Sequence, residues 1–452
     1  MWIALWAILV LTTHHVAAHM DDWEDLPDLA KEHELKPVDY SITYRWHSAT
    51  IRPKRGMPNI TLVAHATVDR LAHVVRWCEQ WRGPMSISVF ARPMVDDAGA
   101  IMGAFAVDPC LKAHADLHLV MHPDHQYNPR ASKHEEGVLE MIAHYPFNTQ
   151  RNVALDGCVG DLALLIDIDF HLMPLPMGNE GTDSSGSSDG GDGGGTEALL
   201  RAHFERQRKI VSRWSFLQSE PHVLNTAFYV IPAVETVVKS MTLPATMQEL
   251  SSIVGSHGAC PFYGHHCKHC HRPTNLNRFL KIASSSTPLS PSDENGSPYL
   301  VDYEHGYEPY GIVNKSGRIP LCLANPTSPT TRHAFKKHDL TLPRYRKEFV
   351  GRGKDKVSFF YELSAGQKRA FIVLAPPFFL VHAGRGDHPS NPGEEYLVRV
   401  LQNNIRYREF RQYVEKKYDP IWEQVRPAHQ CDFNLLYPPP PPPPEEDDDD
   451  EL

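Results

Sequence analysis

The chain has 452 residues, enough for one large domain or two ordinary ones, and a hydrophobic fraction of 41% supplies ample core. Its formal net charge of −10 is concentrated at the end, where Glu445, Glu446, Asp447, Asp448, Asp449, Asp450 and Glu451 carry seven negatives and leave −3 for the rest. Such a block is a solvated tail by composition, and without a basic excess nucleic acid is excluded as an expected partner.

Residues 2–11 are an apolar run that turns polar at Thr12, Thr13, His14 and His15. The run is shorter than the roughly 20 residues a membrane span needs, and Val16, Ala17 and Ala18 are small or β-branched where signal peptidase reads. Residues 1–18 are expected to be a cleaved signal peptide, although its usual basic start is missing; a buried N-terminal helix is the competing reading. Membrane attachment is expected only if this segment stays uncleaved. Residues 19–57 pass from acidic to basic with little apolar periodicity and read as a surface arm. Sequons at Asn59, Asn295 and Asn314 and eight cysteines fit the lumen of the secretory pathway, Golgi or endoplasmic reticulum.

From Ile60 the texture changes. Residues 60–64 read as a strand, and Leu71, Val74, Val75 and Cys78 recur at helical spacing up to the break at Gly83-Pro84. Residues 86–90, 117–121 and 162–166 read as further strands. This rhythm predicts an α/β domain over residues 58–425, built on one central, mostly parallel sheet. Residues 179–195 are Gly, Ser and Asp with almost no apolar content and read as a flexible insertion. Residues 284–297 read as another loop. Seven prolines at 438–444 and the acidic end make residues 426–452 a disordered tail by composition.

The strand at 162–166 runs directly into Asp167-Ile168-Asp169. Two carboxylates at the carboxyl end of an apolar strand are costly to bury without a counter-charge, and ligands of open α/β sheets bind just beyond such strand ends. A divalent cation bridging to a diphosphate satisfies both conditions. An exposed turn is the bland alternative. Just upstream, Pro146 is placed to begin a helix carrying Arg151 and Asn152, and Arg151 could offer a guanidinium to a nucleotide or phosphate. Without that context, Arg151 would read as a surface ion pair.

In order and spacing, these residues resemble glycosyltransferase family 49, which includes β-1,4-glucuronyltransferase and the second catalytic domain of LARGE-type synthases. The resemblance rests on residues 60–65, Val68-Asp69-Arg70-Leu71, Trp81 with Gly83-Pro84, Tyr145-Pro146 through Ala154, and Asp167-Ile168-Asp169-Phe170. It continues through Ile231-Pro232, His271-x-Pro273-Thr274-Asn275, Tyr307-Glu308-Pro309-Tyr310, the Arg346-to-Val357 segment and Phe379-Leu380-Val381-His382.

The resemblance implies a GT-A fold, a Mn2+ cofactor, a UDP-sugar donor, glucuronate foremost, and a glycan or glycoprotein acceptor. It implies Asp169 as the principal metal ligand, Asp167 sharing the metal or nearer the ribose, and His382 as the second protein ligand. Arg151, Asn152 and Lys356 are implied at the nucleotide. An inverting reaction needs a general base, for which Glu308 is the candidate and Asp355 the rival. Asp355 and Lys354 depart from the family pattern of an Asn preceded by an aromatic, which leaves the acceptor open. Arg352, Lys354 and Lys356 are the cations available to a sugar carboxylate. A retaining transferase and a non-catalytic lumenal glycan-binding protein of the same fold are the alternatives.

Two motifs stand apart. Cys260, His265, His266, Cys267, His269, Cys270 and His271 are dense enough for structural zinc, but in an oxidising lumen disulfides are the stronger reading, with Cys267 and Cys270 each joined to another cysteine. The final Asp449-Asp450-Glu451-Leu452 resembles an endoplasmic-reticulum retrieval signal, or is simply the end of the tail.

Overall fold

The computed structural model describes residues 38–53, 59–92, 97–123, 145–173, 195–214, 222–265, 267, 270–284, 297–317, 341–350, 353–384 and 394–425. The expected signal peptide, nearly all of the 179–195 insertion, Arg352 and the proline-rich tail lie outside these residues.

In chain order the elements that build the site are β1 (Ser41–His47), β2 (Ile60–Thr67), α1 (Leu71–Trp81), β3 (Met85–Ala91), α2 (Asp97–Val107), α3 (Pro109–His114), β4 (Ala115–Met121), α4 (Phe147–Gly157), β5 (Leu162–Leu165) and β6 (Phe170–Met173). There follow α5 (Thr196–Val211), α6 (His222–Thr226), β7 (Phe228–Ile231), β8 (Ala233–Thr236), α7 (Met247–Gly255), β9 (Ala259–Pro261), α8 (Leu276–Ser284), β10 (Tyr299–Val301) and β11 (Tyr310–Asn314). The last are α9 (Asp355–Tyr361), β12 (Phe371–Val373), β13 (Phe379–His382) and α10 (Glu394–Val425).

Nine strands form the central sheet in the order β1-β4-β3-β2-β5-β11-β7-β12-β10. The block β4-β3-β2-β5 is parallel, and β11 enters antiparallel between β5 and β7. Alternation along the strands divides the core between the two faces. Leu162 and Leu164 of β5 pack with α1 and α5 on one side, while Ala163 and Leu165 pack with α4 and α9 on the other. Gly311 of β11 is required by close approach, since a Cβ there would meet the Tyr229 carbonyl of β7.

Helix α1 buries Leu71, Val74, Trp77, Cys78 and Trp81 against the sheet. A disulfide between Cys78 and Cys110 ties α1 to α3. A smaller sheet, β6-β13-β8-β9, stands beside the large one.

Two expectations change. Part of the presumed surface arm is structure: β1 pairs antiparallel with β4 as the sheet's edge strand. Its mixed exposure explains why no apolar rhythm marked it. Asp116, fully buried, fastens the segment by accepting from Ala49 N at 2.9 Å and Arg52 Nη1 at 2.5 Å. Likewise residues 231–235, whose resemblance to the family implies a single strand after the acidic motif, are not one strand. Pro232 lacks an N–H and breaks the run, so that β7 stays in the large sheet while β8 joins the small one.

Candidate active site

Asp167 follows β5 directly and Asp169 lies in the turn that leads into β6. Ile168 between them is buried, and its carbonyl accepts from Trp77 Nε1 at 3.1 Å, which fixes the turn to α1. Asp167 Oδ2 accepts from Tyr310 Oη at 2.7 Å and Lys356 Nζ at 3.0 Å, and its other oxygen lies 3.8 Å from Arg151 Nη2. Burial would raise its pKa, but Lys356, Arg151 and the Tyr310 hydroxyl outweigh that and hold the carboxyl well below the usual range. The side chain remains 30% exposed, so this carboxylate faces a cleft rather than the core.

That cleft has an empty volume of ≈ 380 Å³ and is lined by β2, α4, the β5 end, β11, Tyr345 and Lys356. His65 borders it with Nδ1 2.9 Å from the Tyr145 hydroxyl. Burial foremost, helped by Arg151, depresses its pKa to about 3, so it is neutral.

Arg151 projects from α4 between the rings of Phe147 and Tyr345, at 5.6 and 5.5 Å from their centroids. It donates from Nη1 to Asp355 Oδ2 at 2.5 Å. Asp355 is the first residue of α9, where a carboxylate favours the helix dipole. The two residues before it, Gly353 and Lys354, have φ of +101° and +58°. This left-handed step, awkward for Lys354, brings Asp355 to Arg151 and Lys356 to the cleft. Lys354 turns its ammonium over the Tyr407 ring at 5.2 Å.

Glu308 precedes β11 and lies 3.6 Å from Lys356 Nζ. Its backbone N–H donates to Cys270 O at 3.3 Å. The two candidate bases have opposite electrostatics. Burial foremost, with Asp355 and Asp167 adding to it against Lys356 and Arg151, raises the pKa of Glu308. For Asp355 burial acts upward too, but Arg151 and Lys356 prevail and lower it.

Asp169 is 32% exposed and accepts from Arg70 Nη1 at 2.5 Å. His382, at the end of β13, is the register partner of Phe170 in β6, which places it beside Asp169. Its Nδ1 lies 2.8 Å from Gly384 O; a carbonyl only accepts, so Nδ1 carries a proton and Nε2 is the ring nitrogen left to face a ligand. Imidazole and carboxylate are donor types suited to Mn2+, although ligand atoms of Asp167, Asp169 and His382 do not all lie within 4.8 Å of one another.

Asn152 departs from expectation. Its amide donates to Tyr345 O at 2.7 Å and accepts from Tyr345 N at 3.0 Å, so it shapes the cleft only through Tyr345. Cys267 and Cys270 are disulfide-bonded to each other, not to other cysteines, which removes both from any zinc site. Tyr310, Arg70 and Tyr345 contribute to the site without having been singled out. Tyr310 and Arg70 stood inside quoted motifs, but nothing local marked their partners.

In an open α/β sheet, carboxylates at a strand end that face cations across a cleft mark the place where a ligand binds. The sequence profile of glycosyltransferase family 49, described as "Glycosyl-transferase for dystroglycan", matches residues 59–176 and 206–419, and the chain belongs to this family. It is 25% identical over 412 residues to Beta-1,4-glucuronyltransferase 1 of Homo sapiens, covering 84% of this chain and 81% of that protein. It is 24% identical over 369 residues to Glycosyltransferase-like protein gnt14 of Dictyostelium discoideum, covering 80% of this chain and 44% of that one. With Xylosyl- and glucuronyltransferase LARGE2 of Rattus norvegicus it shares 26% identity over 360 residues, 78% of this chain and 38% of that one. The chain thus spans less than half of the gnt14 and LARGE2 proteins. Among the described residues no helix is long and apolar enough to cross a membrane.

Proposed function

We propose that this chain transfers glucuronate from a UDP-sugar to a glycan acceptor in the lumen of the secretory pathway, with inversion and with Mn2+ as cofactor. The observation that carries the reading is the convergence of Asp167, Arg151 and Lys356 on one cleft at the end of β5, with Glu308 3.6 Å from Lys356 at its edge. Asp169 and His382 would hold the metal, with Asp167 sharing it; the ion would supply Lewis-acid stabilisation of the leaving diphosphate.

The chain's own residues do the remaining work. Lys356 brings a positive charge to the same region and orients Asp167. Arg151 neutralises Asp355 and keeps α9 docked against α4. Glu308, kept from ionising too readily by its burial, takes the proton of the acceptor hydroxyl. Asp355 is already engaged by Arg151, which favours Glu308 over it.

Donor screening with UDP-glucuronate, UDP-xylose and UDP-N-acetylglucosamine tests the reading, with UDP release as the readout. UDP-glucuronate is expected to be turned over fastest, and both Asp169→Ala and His382→Ala to lose Mn2+-stimulated release with the fold intact. Full Mn2+ stimulation in Asp169→Ala would refute the metal assignment. Preference for another donor would refute the glucuronate assignment alone.

A further inference from the structure

On the small sheet three side chains of different chemistry meet. Glu235 of β8 is fully buried. Cys260 of β9 places its sulfur 3.6 Å from Glu235 Oε1 and 3.6 Å from His265 Nε2. One ligand atom from each of the three lies within 4.8 Å of the others.

We propose that Glu235, Cys260 and His265 bind a zinc ion, with water as the fourth ligand, and that the ion is a structural clip. Zinc bonds are about 2.3 Å to sulfur and about 2.0–2.1 Å to nitrogen or oxygen, so at a tetrahedral angle the S-to-N and S-to-O edges are about 3.5–3.6 Å. Both edges at Cys260 match that length. Thiolate and imidazole together favour zinc over the hard cations that carboxylates alone would hold. A fully buried carboxylate is also best stabilised by positive charge. On binding, the Cys260 thiol loses its proton to solvent and the sulfur supplies the electron pair.

The loop is built to bring these atoms together. Gly264 N donates to Pro261 O at 2.9 Å, closing a turn that returns His265 to the level of Cys260. The Cys267–Cys270 disulfide follows at once and takes both of those sulfurs out of contention, so the three ligands are distinct from the Cys-x-x-Cys pair. They are distinct from the Asp167–Asp169 turn as well. Still, the clip adjoins that region: Phe262, between Cys260 and His265, packs on Phe170 and on His382, with centroids 4.7 and 5.4 Å away. The same loop ends at Cys270, whose carbonyl receives the Glu308 N–H.

The test uses the full chain, stripped with chelator, reloaded with zinc sulfate and dialysed. Elemental analysis is expected to find one zinc per chain in the wild type and in Asp169→Ala, and a loss of about tenfold or more in Cys260→Ala and His265→Ala. Peptide-resolved alkylation of the wild type needs no variant to fold: zinc should slow iodoacetamide at Cys260 by about tenfold. Zinc retained by Cys260→Ala but lost from Asp169→Ala would assign the ion to the aspartate pair and overturn the proposal. An unchanged alkylation rate, or Cys260 found in a disulfide, would overturn it too.

Discussion

Removing Arg151 should damage this protein far more than removing its partner Asp355, because of how charge is counted around the cleft. Three carboxylates, Asp167, Asp355 and Glu308, face two cations, Arg151 and Lys356. In Arg151→Met the shape is roughly kept, but three carboxylates are left with Lys356 alone. Breaking a buried pair in this way costs about 3–5 kcal/mol. In Asp355→Asn, Arg151 still has Asp167 within 3.8 Å, and the new amide oxygen can accept from Arg151 or from Gly353 N, so about 1–2 kcal/mol is expected. The double variant should recover about 2 kcal/mol relative to the sum of the singles. Urea unfolding, followed by tryptophan fluorescence with the slope checked for constancy, measures all three. The Arg151→Met deficit should shrink on acidification: without the guanidinium, the folded-state pKa of Asp355 rises above its unfolded value and favours the fold at low pH. Additive losses, or a larger loss for Asp355→Asn, would refute the charge account.

Glu308→Gln should lower kcat by about 10²–10⁴-fold with donor KM little changed, and should abolish the acidic limb of the pH–rate profile. That limb, where activity rises with pH, should lie above the usual carboxylate range in the wild type; a limb retained in Glu308→Gln but lost in Asp355→Asn would exchange their roles. His118 is held near a pKa of about 4, by burial foremost and despite nearby Asp116, with its Nδ1 accepting from Arg45 N at 3.0 Å. A depressed histidine stabilises the fold above its unfolded pKa near 6.5, and that contribution is lost as pH falls toward 4. His118→Gln should therefore flatten stability against pH over that window by on the order of 2–3 kcal/mol, read from urea midpoints. The Cys78–Cys110 bridge, 32 residues apart in sequence, should contribute about 3–4 kcal/mol by restricting the unfolded chain. A Cys78→Ala/Cys110→Ala chain that melts within 2 °C or so of wild type would contradict this.

Local pattern carries the parallel block of the sheet. The strands at β2, β3, β4 and β5 and the helix α1 are written in apolar runs and 3.6-residue spacing, and Pro146 marks the start of α4. The aspartates at the end of β5 are legible for the same reason. What local pattern does not carry is the partner of each charge. Lys356 reaches Asp167 across 189 residues and Arg151 reaches Asp355 across 204, separations no periodicity encodes. Asn152 is adjacent to Arg151, yet it bonds the Tyr345 backbone while Arg151 packs on the Tyr345 ring and reaches Asp355. Edge strand β1 carries no apolar rhythm because only part of it is covered.

The antiparallel entry of β11 has a consequence for how the chain comes to be made. Leu165 of β5 is paired on its far side with Gly311, so 146 residues must follow β5 out of the ribosome before that row of amides finds partners. At about 5–20 residues per second the wait is roughly 7–30 s. Through that interval the nascent N-terminal half presents an unpaired, apolar strand edge, the kind of surface that recruits other chains. Stop codons placed before Tyr310 should thus yield aggregates rather than a stable half-protein, and biosynthesis should depend on folding helpers through that delay.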